Sequence, residues 1–314
     1  MSEPKDNFKS WQTGDQSVSV VIPTYKHAST VVQTLESVFA QTLQPKEIIV
    51  INDGSPDNTE EVLRPYIESG RIRYFSQPNA GQGAARNRGI ALASGDFIAL
   101  LDDDDYWPPD KLQWQVEVLA NTPKAVIVYG NYTPFGTTTG RQVPGTRGPS
   151  GSVFRRLLWE NFICSPGQTL IRREALQHVG FFDESVWGAD DWEVMLRLAK
   201  IGEFAFENRN ALFYRFHIAN ASKNMLKMVE NVRKVMDKHL VYRPGLLGLY
   251  DRYYYSRTFA RMRAIHILAH AHQGVLPNRF FKLAKATFYC PNMIRLPIFR
   301  ERIKAAWTGA PQPA

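Results

Sequence analysis

Over the first 130 residues, short runs of β-branched and aliphatic residues alternate with longer stretches whose apolar positions recur every three or four residues. The runs at 18–22, 47–52, 72–76 and 97–101 are followed by helical patterns at 29–41, 58–68, 84–93 and 109–121, which is a βαβα order. Ile48-Ile49-Val50-Ile51 is continuously apolar, as a strand covered on both faces must be, so a mostly parallel sheet flanked by helices is expected. Ligands of such α/β sheets bind beyond the carboxyl ends of the strands. Pro23-Thr24-Tyr25, Asp53-Gly54-Ser55 and the run Asp102 to Asp105 all fall at those ends. Three motifs far apart in the chain are therefore expected to share one crevice.

From 132 to 152 the chain is rich in Gly, Thr, Pro and Arg with little apolar periodicity, and reads as a mobile loop or extended excursion. Order is expected again at 153–162, in a strand-like 168–171, in a short helix at 174–179 and in a helix at 192–201. Beyond 220 the pattern is wholly helical: Met225, Met228, Val229, Val232, Val235 and Met236 keep an i, i+3, i+4 rhythm, and a second helix is expected at about 246–273. No internal repeat is present.

The 314 residues, 44% hydrophobic and 12% aromatic, suffice for one large or two small packed domains. No run approaches the ~18 consecutive apolar residues of a membrane span, and the polar start MSEPKDNFKSWQTGDQ lacks the apolar core of a signal peptide. Cys164 and Cys290 are far apart and show no metal spacing, which suits a reducing compartment; a cytoplasmic location is expected. The net charge of +8 is unevenly spread. Residues 1–220 carry 21 Lys+Arg against 26 Asp+Glu, and residues 221–314 carry 17 against 4. So basic a tail suits peripheral association with an anionic membrane on the inner face of the cell membrane. A helical cap on the first domain is the rival reading. Nucleic acid is not expected as a partner, because no nucleic-acid module is recognisable.

Four adjacent carboxylates repel one another, and a hard divalent cation with oxygen ligands is the common remedy. A strand ending in Asp-x-Asp sends residues i and i+2 to one face, so Asp102 and Asp104 are expected to converge while Asp103 and Asp105 point elsewhere. A solvated acidic loop is the alternative.

Val18-Ser19-Val20-Val21-Ile22-Pro23-Thr24-Tyr25, Asp53-Gly54-Ser55, Asn79-Ala80-Gly81-x-x-x-Ala85-Arg86-Asn87-x-Gly89, Leu101-Asp102-x-Asp104-Asp105-x-Trp107, Ala189-Asp190-Asp191-Trp192 and Arg215-x-His217 occur in this order. In order and spacing the chain resembles the family 2 inverting glycosyltransferases over roughly 16–220. The resemblance implies a GT-A fold with a Rossmann-like nucleotide-binding half at about 16–130 and an acceptor half at about 131–220. The basic helical extension at 221–314 and a flexible start at 1–15 lie outside it. It also implies a nucleoside-diphosphate sugar donor, UDP-sugar foremost, and a Mn2+ or Mg2+ ion; the basic tail, from its charge, suits a glycan or lipid-linked hydroxyl as acceptor.

By the same resemblance, Pro23, Thr24 and Tyr25 lie against the nucleobase and Asp53 reads it, although Asn52 stands where the family usually has a first aspartate. Gly81 and Arg86 face the phosphates. Asp102 and Asp103 serve the nucleotide sugar, Asp104, Asp102 and His217 the metal, and Trp187, Asp190 and Trp192 the acceptor. An alcohol attacking an anomeric carbon must lose its proton, so a placed carboxylate is needed as general base; Asp191 is the candidate, with Asp190 where glutamate is usual. As an N-cap, Asp191 would instead start a helix near Trp192. A nucleotidyltransferase, or a non-catalytic subunit that binds sugar nucleotides, are the alternative functions.

Overall fold

A computed structural model describes residues 11, 14–136, 148–216 and 225–240 and the positions 245, 248, 249, 251–253 and 255. The chain divides into two units, Met1–Ala221 and Ser222–Ala314. In the first unit β1 (Val18–Thr24), α1 (Val31–Phe39), β2 (Glu47–Asn52), α2 (Thr59–Glu68), β3 (Arg73–Ser76), α3 (Gln82–Leu92), β4 (Phe97–Leu100) and α4 (Lys111–Asn121) follow one another. Next come β5 (Ala125–Gly136), α5 (Phe154–Trp159), β6 (Thr169–Arg172), α6 (Arg173–Val179), α7 (Asp190–Leu198) and β7 (Glu203–Phe216).

Seven strands form one sheet in the order β3-β2-β1-β4-β6-β5-β7. β1 pairs in parallel with β2 and β4, β2 with β3, and β5 with β7. β6 alone runs the other way, antiparallel to both β4 and β5. All seven residues of β1 and all four of β4 are buried, as expected of strands with helices on both faces. α1 buries Val31, Leu35 and Val38, one stripe at i, i+4 and i+7. α3 has no such stripe and lies on the sheet through small residues. A Cβ at Gly89 would come within 2.3 Å of Val21 Cγ1, so only glycine permits this approach of helix to strand.

Of the mobile loop or extended excursion expected from 132, residues 132–136 take the extended form, as a paired strand. Tyr132 to Gly136 continue β5 and pair residue by residue with Leu212 to Phe216 of β7. Cross-strand polar pairs support this ribbon, Thr133 Oγ1 donating to Asn210 Oδ1 at 3.1 Å and Asn131 Nδ2 to Asn208 Oδ1 at 2.8 Å. α7 starts two residues before the expected 192.

In the second unit α8 (Met225–His239) buries Val235 and Met236 and exposes Arg233, Lys234, Asp237 and Lys238. The expected helix at 246–273 lies mostly outside the described residues, as do the rest of the basic tail and His217. Among the described residues no helix is long and apolar enough to cross a membrane.

Candidate active site

β1, β2 and β4 end side by side, and the loops that leave them meet around the aspartate run. The strand does not continue through that run. The chain turns after Leu101, Asp105 N–H returning to the Asp102 carbonyl at 3.1 Å, so strand alternation does not govern where these side chains point. The turn still separates them in pairs. Asp102 and Asp104 are half-open to solvent, and Asp103 and Asp105 are buried.

Each aspartate ties a different element to the rim. Asp102 Oδ1 accepts from Gln82 Nε2 at 2.8 Å and from the Arg86 guanidinium at 2.7 Å, which brings the start of α3 to the turn. Asp103 Oδ2 accepts from Tyr25 N–H at 3.0 Å, and its Oδ1 lies 2.6 Å from His27 Nδ1. Asp105 Oδ1 accepts from Arg215 N–H at 2.8 Å, while Arg215 Nε donates to the Asp104 carbonyl at 2.7 Å, so the end of β7 is fastened here too. Burial, reinforced by Asp102 and Asp104, pushes the Asp105 carboxyl up to about 9.

Asp53 is buried at 3% exposure. Its carboxylate accepts from Gln77 Nε2 at 2.7 Å, Ala80 N–H at 2.9 Å and Gly81 N–H at 2.8 Å. The charge therefore organises the 77–81 loop, and a nucleobase N–H would have to share oxygens already serving it. Gly81, at φ 95°, sits directly before α3, a left-handed conformation that favours glycine. Tyr25 presents an open ring, 38% exposed, with Lys26 Nζ 4.9 Å from its centroid. Pro23 and Thr24 are buried in β1 behind it.

Arg86 joins the two halves of the crevice. Its buried guanidinium reaches Asp102 on one side and Asp190 Oδ2, at 3.5 Å, on the other. Asn87, the next residue, exchanges two hydrogen bonds with the Phe182 backbone at 2.8 and 3.0 Å. α3 therefore positions the segment that leads into α7. Asp190 is buried and Asp191 is partly open, walled by protein. Burial, followed by the charge of Asp190, pushes the Asp191 carboxyl up to about 7, against the pull of Arg86. Asp191 does not cap α7: it is the second residue of that helix, whose N-cap is Ala189.

Trp187 is half-buried just ahead of this pair. Trp192 is buried, and its indole N–H donates to the Leu157 carbonyl at 2.8 Å. That contact gives Trp192 a packing role and takes it off an open acceptor wall. Sequence reasoning missed His27, Gln77 and Gln82, whose roles depend on pairings with aspartates 20 or more residues away; His27, two residues after Tyr25, carried the one local signal.

Among the described residues no three His, Cys, Asp or Glu side chains converge on a point that could hold a metal. The half-open Asp102 and Asp104 nonetheless fit a hard cation that takes one or two carboxylates and fills its shell with other oxygens, as Mg2+ does. Asp102 suits this because both its protein donors use Oδ1. His217, the third candidate, lies outside the described residues.

Two solved transferases share the fold. S. aureus TarS (residues 1–349, with UDP-GlcNAc) superposes with a TM-score of 0.61 at 15% identity, covering 93% of this chain and 92% of that 1–349 segment. The mannosyltransferase PcManGT from Pyrobaculum calidifontis, in complex with GDP-Man and Mn2+, gives 0.58 at 20% identity, covering 95% and 89%. The sheet and its flanking helices are thus of the GT-A type. Among curated relatives, an uncharacterized glycosyltransferase of Rickettsia felis is 31% identical over 218 residues, 66% of this chain and 35% of that protein. One of Nostoc sp. is 33% identical over 213 residues, 65% and 66% of the two chains. The hyaluronan synthase of Pasteurella multocida is 27% identical over 297 residues, 88% of this chain and 29% of the synthase. The chain spans about a third of the length of the Rickettsia felis relative. The family model described as glycosyl transferase family 2 matches residues 19–180, which include the ends of β1, β2 and β4 and the whole of α3, and the chain belongs to that family.

Proposed function

We propose that this glycosyltransferase moves a sugar from a nucleoside-diphosphate sugar, UDP-sugar foremost, to a hydroxyl of a glycan or lipid-linked acceptor, with inversion. Asp191 carries the reading: it is a partly open carboxyl raised to about 7, linked through Asp190 and Arg86 to the rim where Asp102 and Asp104 stand. A general base works best with a pKa near the working pH. Asp191 takes the proton of the acceptor hydroxyl as its oxygen bonds to the anomeric carbon. The bond from that carbon to the diphosphate breaks on the opposite face, and the nucleoside diphosphate departs. Mn2+ or Mg2+, when bound, supplies charge neutralisation at the diphosphate; Asp104 and Asp102, with His217, are the residues to hold it. Arg86 fixes Asp102 and Asp190 in place, and the open ring of Tyr25 offers a face for the base.

TarS with UDP-GlcNAc and PcManGT with GDP-Man and Mn2+ support the donor class and the cation. The hyaluronan synthase relative supports a polysaccharide product. A cytoplasmic site of action, with the basic tail on an anionic membrane, completes the proposal. Its test is a sugar-nucleotide panel with Mn2+, followed by transfer assays on native protein and Asp191→Asn. Native protein is expected to release nucleoside diphosphate, and Asp191→Asn to keep donor binding and lose transfer. Release of pyrophosphate, or undiminished transfer by Asp191→Asn, would overturn it.

A further inference from the structure

The loop from β1 to α1 is held in a conformation it would not choose alone. Lys26 adopts φ 61°, a left-handed geometry that costs a residue with a side chain about 1 kcal/mol or more and persists only where the surroundings enforce it. The enforcement comes from two other loops, the one after β4 and the one between β2 and α2. Asp103 accepts from Tyr25 N–H at 3.0 Å and meets His27 Nδ1 at 2.6 Å. Ser55 Oγ accepts from Lys26 N–H at 3.1 Å, and Asp57 Oδ2 from Ala28 N–H at 3.3 Å. Four consecutive residues, 25 to 28, are thus fixed by side chains more than 25 positions away. Tyr25, the residue before the strained Lys26, is exposed at the end of this held loop.

We infer that His27 and Asp103 are positioning residues that aim the Tyr25 ring as the stacking face for the base of a nucleoside diphosphate, and that Asp103 acts through this loop and not by touching the ligand. The inference rests on the nucleotide-sugar reading above and deepens it. Asp103 is buried with both oxygens engaged inside the protein, which leaves Asp102 and Asp104 as the members of the run that face outward. At 2.6 Å the His27–Asp103 contact is the shortest of the four side-chain contacts that hold residues 25 to 28.

The consequence is an effect on binding that depends on the base. Affinities of UDP, GDP and inorganic pyrophosphate, each with Mn2+, are measured by titration calorimetry on the full chain and on His27→Ala and His27→Asn. Asparagine places a donor near the position of Nδ1 and is the conservative replacement. The native protein is expected to bind at least one of the two nucleotides. His27→Ala is expected to weaken that nucleotide about 10-fold and pyrophosphate less than 2-fold, and His27→Asn to recover most of the loss. Equal nucleotide affinity in His27→Ala and native protein would sink the positioning role alone. So would a loss shared equally by pyrophosphate, the mark of general damage. Failure of the native protein to bind either nucleotide would sink the donor reading and this inference together.

Discussion

Replacing Asp53 by asparagine changes one atom and tests whether this carboxylate organises the 77–81 loop. Three donors converge on it: Gln77 Nε2 and Ala80 N–H on Oδ1, Gly81 N–H on Oδ2. The asparagine amide can serve only one side. With its oxygen toward Gln77 and Ala80, its NH2 faces Gly81 N–H, originally 2.8 Å from Oδ2, donor against donor. With its oxygen toward Gly81, both Ala80 N–H and Gln77 lose their acceptor, so the first arrangement is the cheaper. Gly81 is half-buried, so its N–H without an acceptor costs about 1 kcal/mol, and demoting two charge-assisted bonds to neutral ones adds about 2 kcal/mol. The expected loss is about 3 kcal/mol, or roughly 6–12 °C in Tm for a unit of this size. Differential scanning calorimetry gives the total, and amide hydrogen exchange locates it at Ala80 and Gly81. A Tm within 2 °C of native, with both amides still protected, would refute the assignment of Asp53 as the anchor of this loop.

Gly89→Ala places a methyl 2.3 Å from Val21 Cγ1 and should destabilise the first unit by about 1–3 kcal/mol through overpacking, seen as a lower urea midpoint with unchanged slope. Arg86→Gln removes the guanidinium between Asp102 and Asp190 and should cost about 3–5 kcal/mol, because buried charge is left uncompensated; thermal unfolding reads this directly. The same change should move the acidic limb of transfer to higher pH. Asp191 must be ionised to act, its rate falls as pH drops through its pKa, and Arg86 is the group that holds that pKa down. A limb unchanged in a folded Arg86→Gln would separate Asp191 from the proton transfer.

The parallel half of the sheet was legible because burial on both faces writes itself as continuous apolar runs: β2 is Glu47–Asn52, as read from the sequence. Tyr132–Gly136 was legible only as a loop or extended excursion. Its Gly, Thr and Pro content leaves both open, and pairing with Leu212–Phe216 decides it, since strand preference depends more on the partner than on the residue. The site divides the same way. Motif spacing brought Pro23–Tyr25, Asp53 and Asp102–Asp105 to one rim, as the fold has them. Strand alternation set Asp102 with Asp104 against Asp103 and Asp105, and the fold divides them the same way, but through a turn in which His27 and Arg215 claim Asp103 and Asp105 from 76 and 110 positions away. Trp192 looked like a pocket residue beside Asp191, and only the Leu157 carbonyl shows its indole turned into the protein.

The reversed direction of β6 gives the crevice a margin unlike the others. Six strands run toward it, and the loops leaving β1, β2, β3 and β4 carry Tyr25, Asp53, Gln77 and the aspartate run; β6 alone sets out from it, so the chain before Thr169 enters the sheet from that side. Cys164 lies on that approach, electrostatically within reach of Asp191, Asp105 and Asp102 and hydrogen-bonded to Tyr132, while Gln168 secures the stretch by accepting from Cys164 N–H and donating to the Gly130 carbonyl. The stretch before β6 is thus tied to β5 through Gly130 and to the loop after β4 through Trp107, whose indole N–H donates to the Gly167 carbonyl at 2.9 Å, so a change there is felt at the aspartate run.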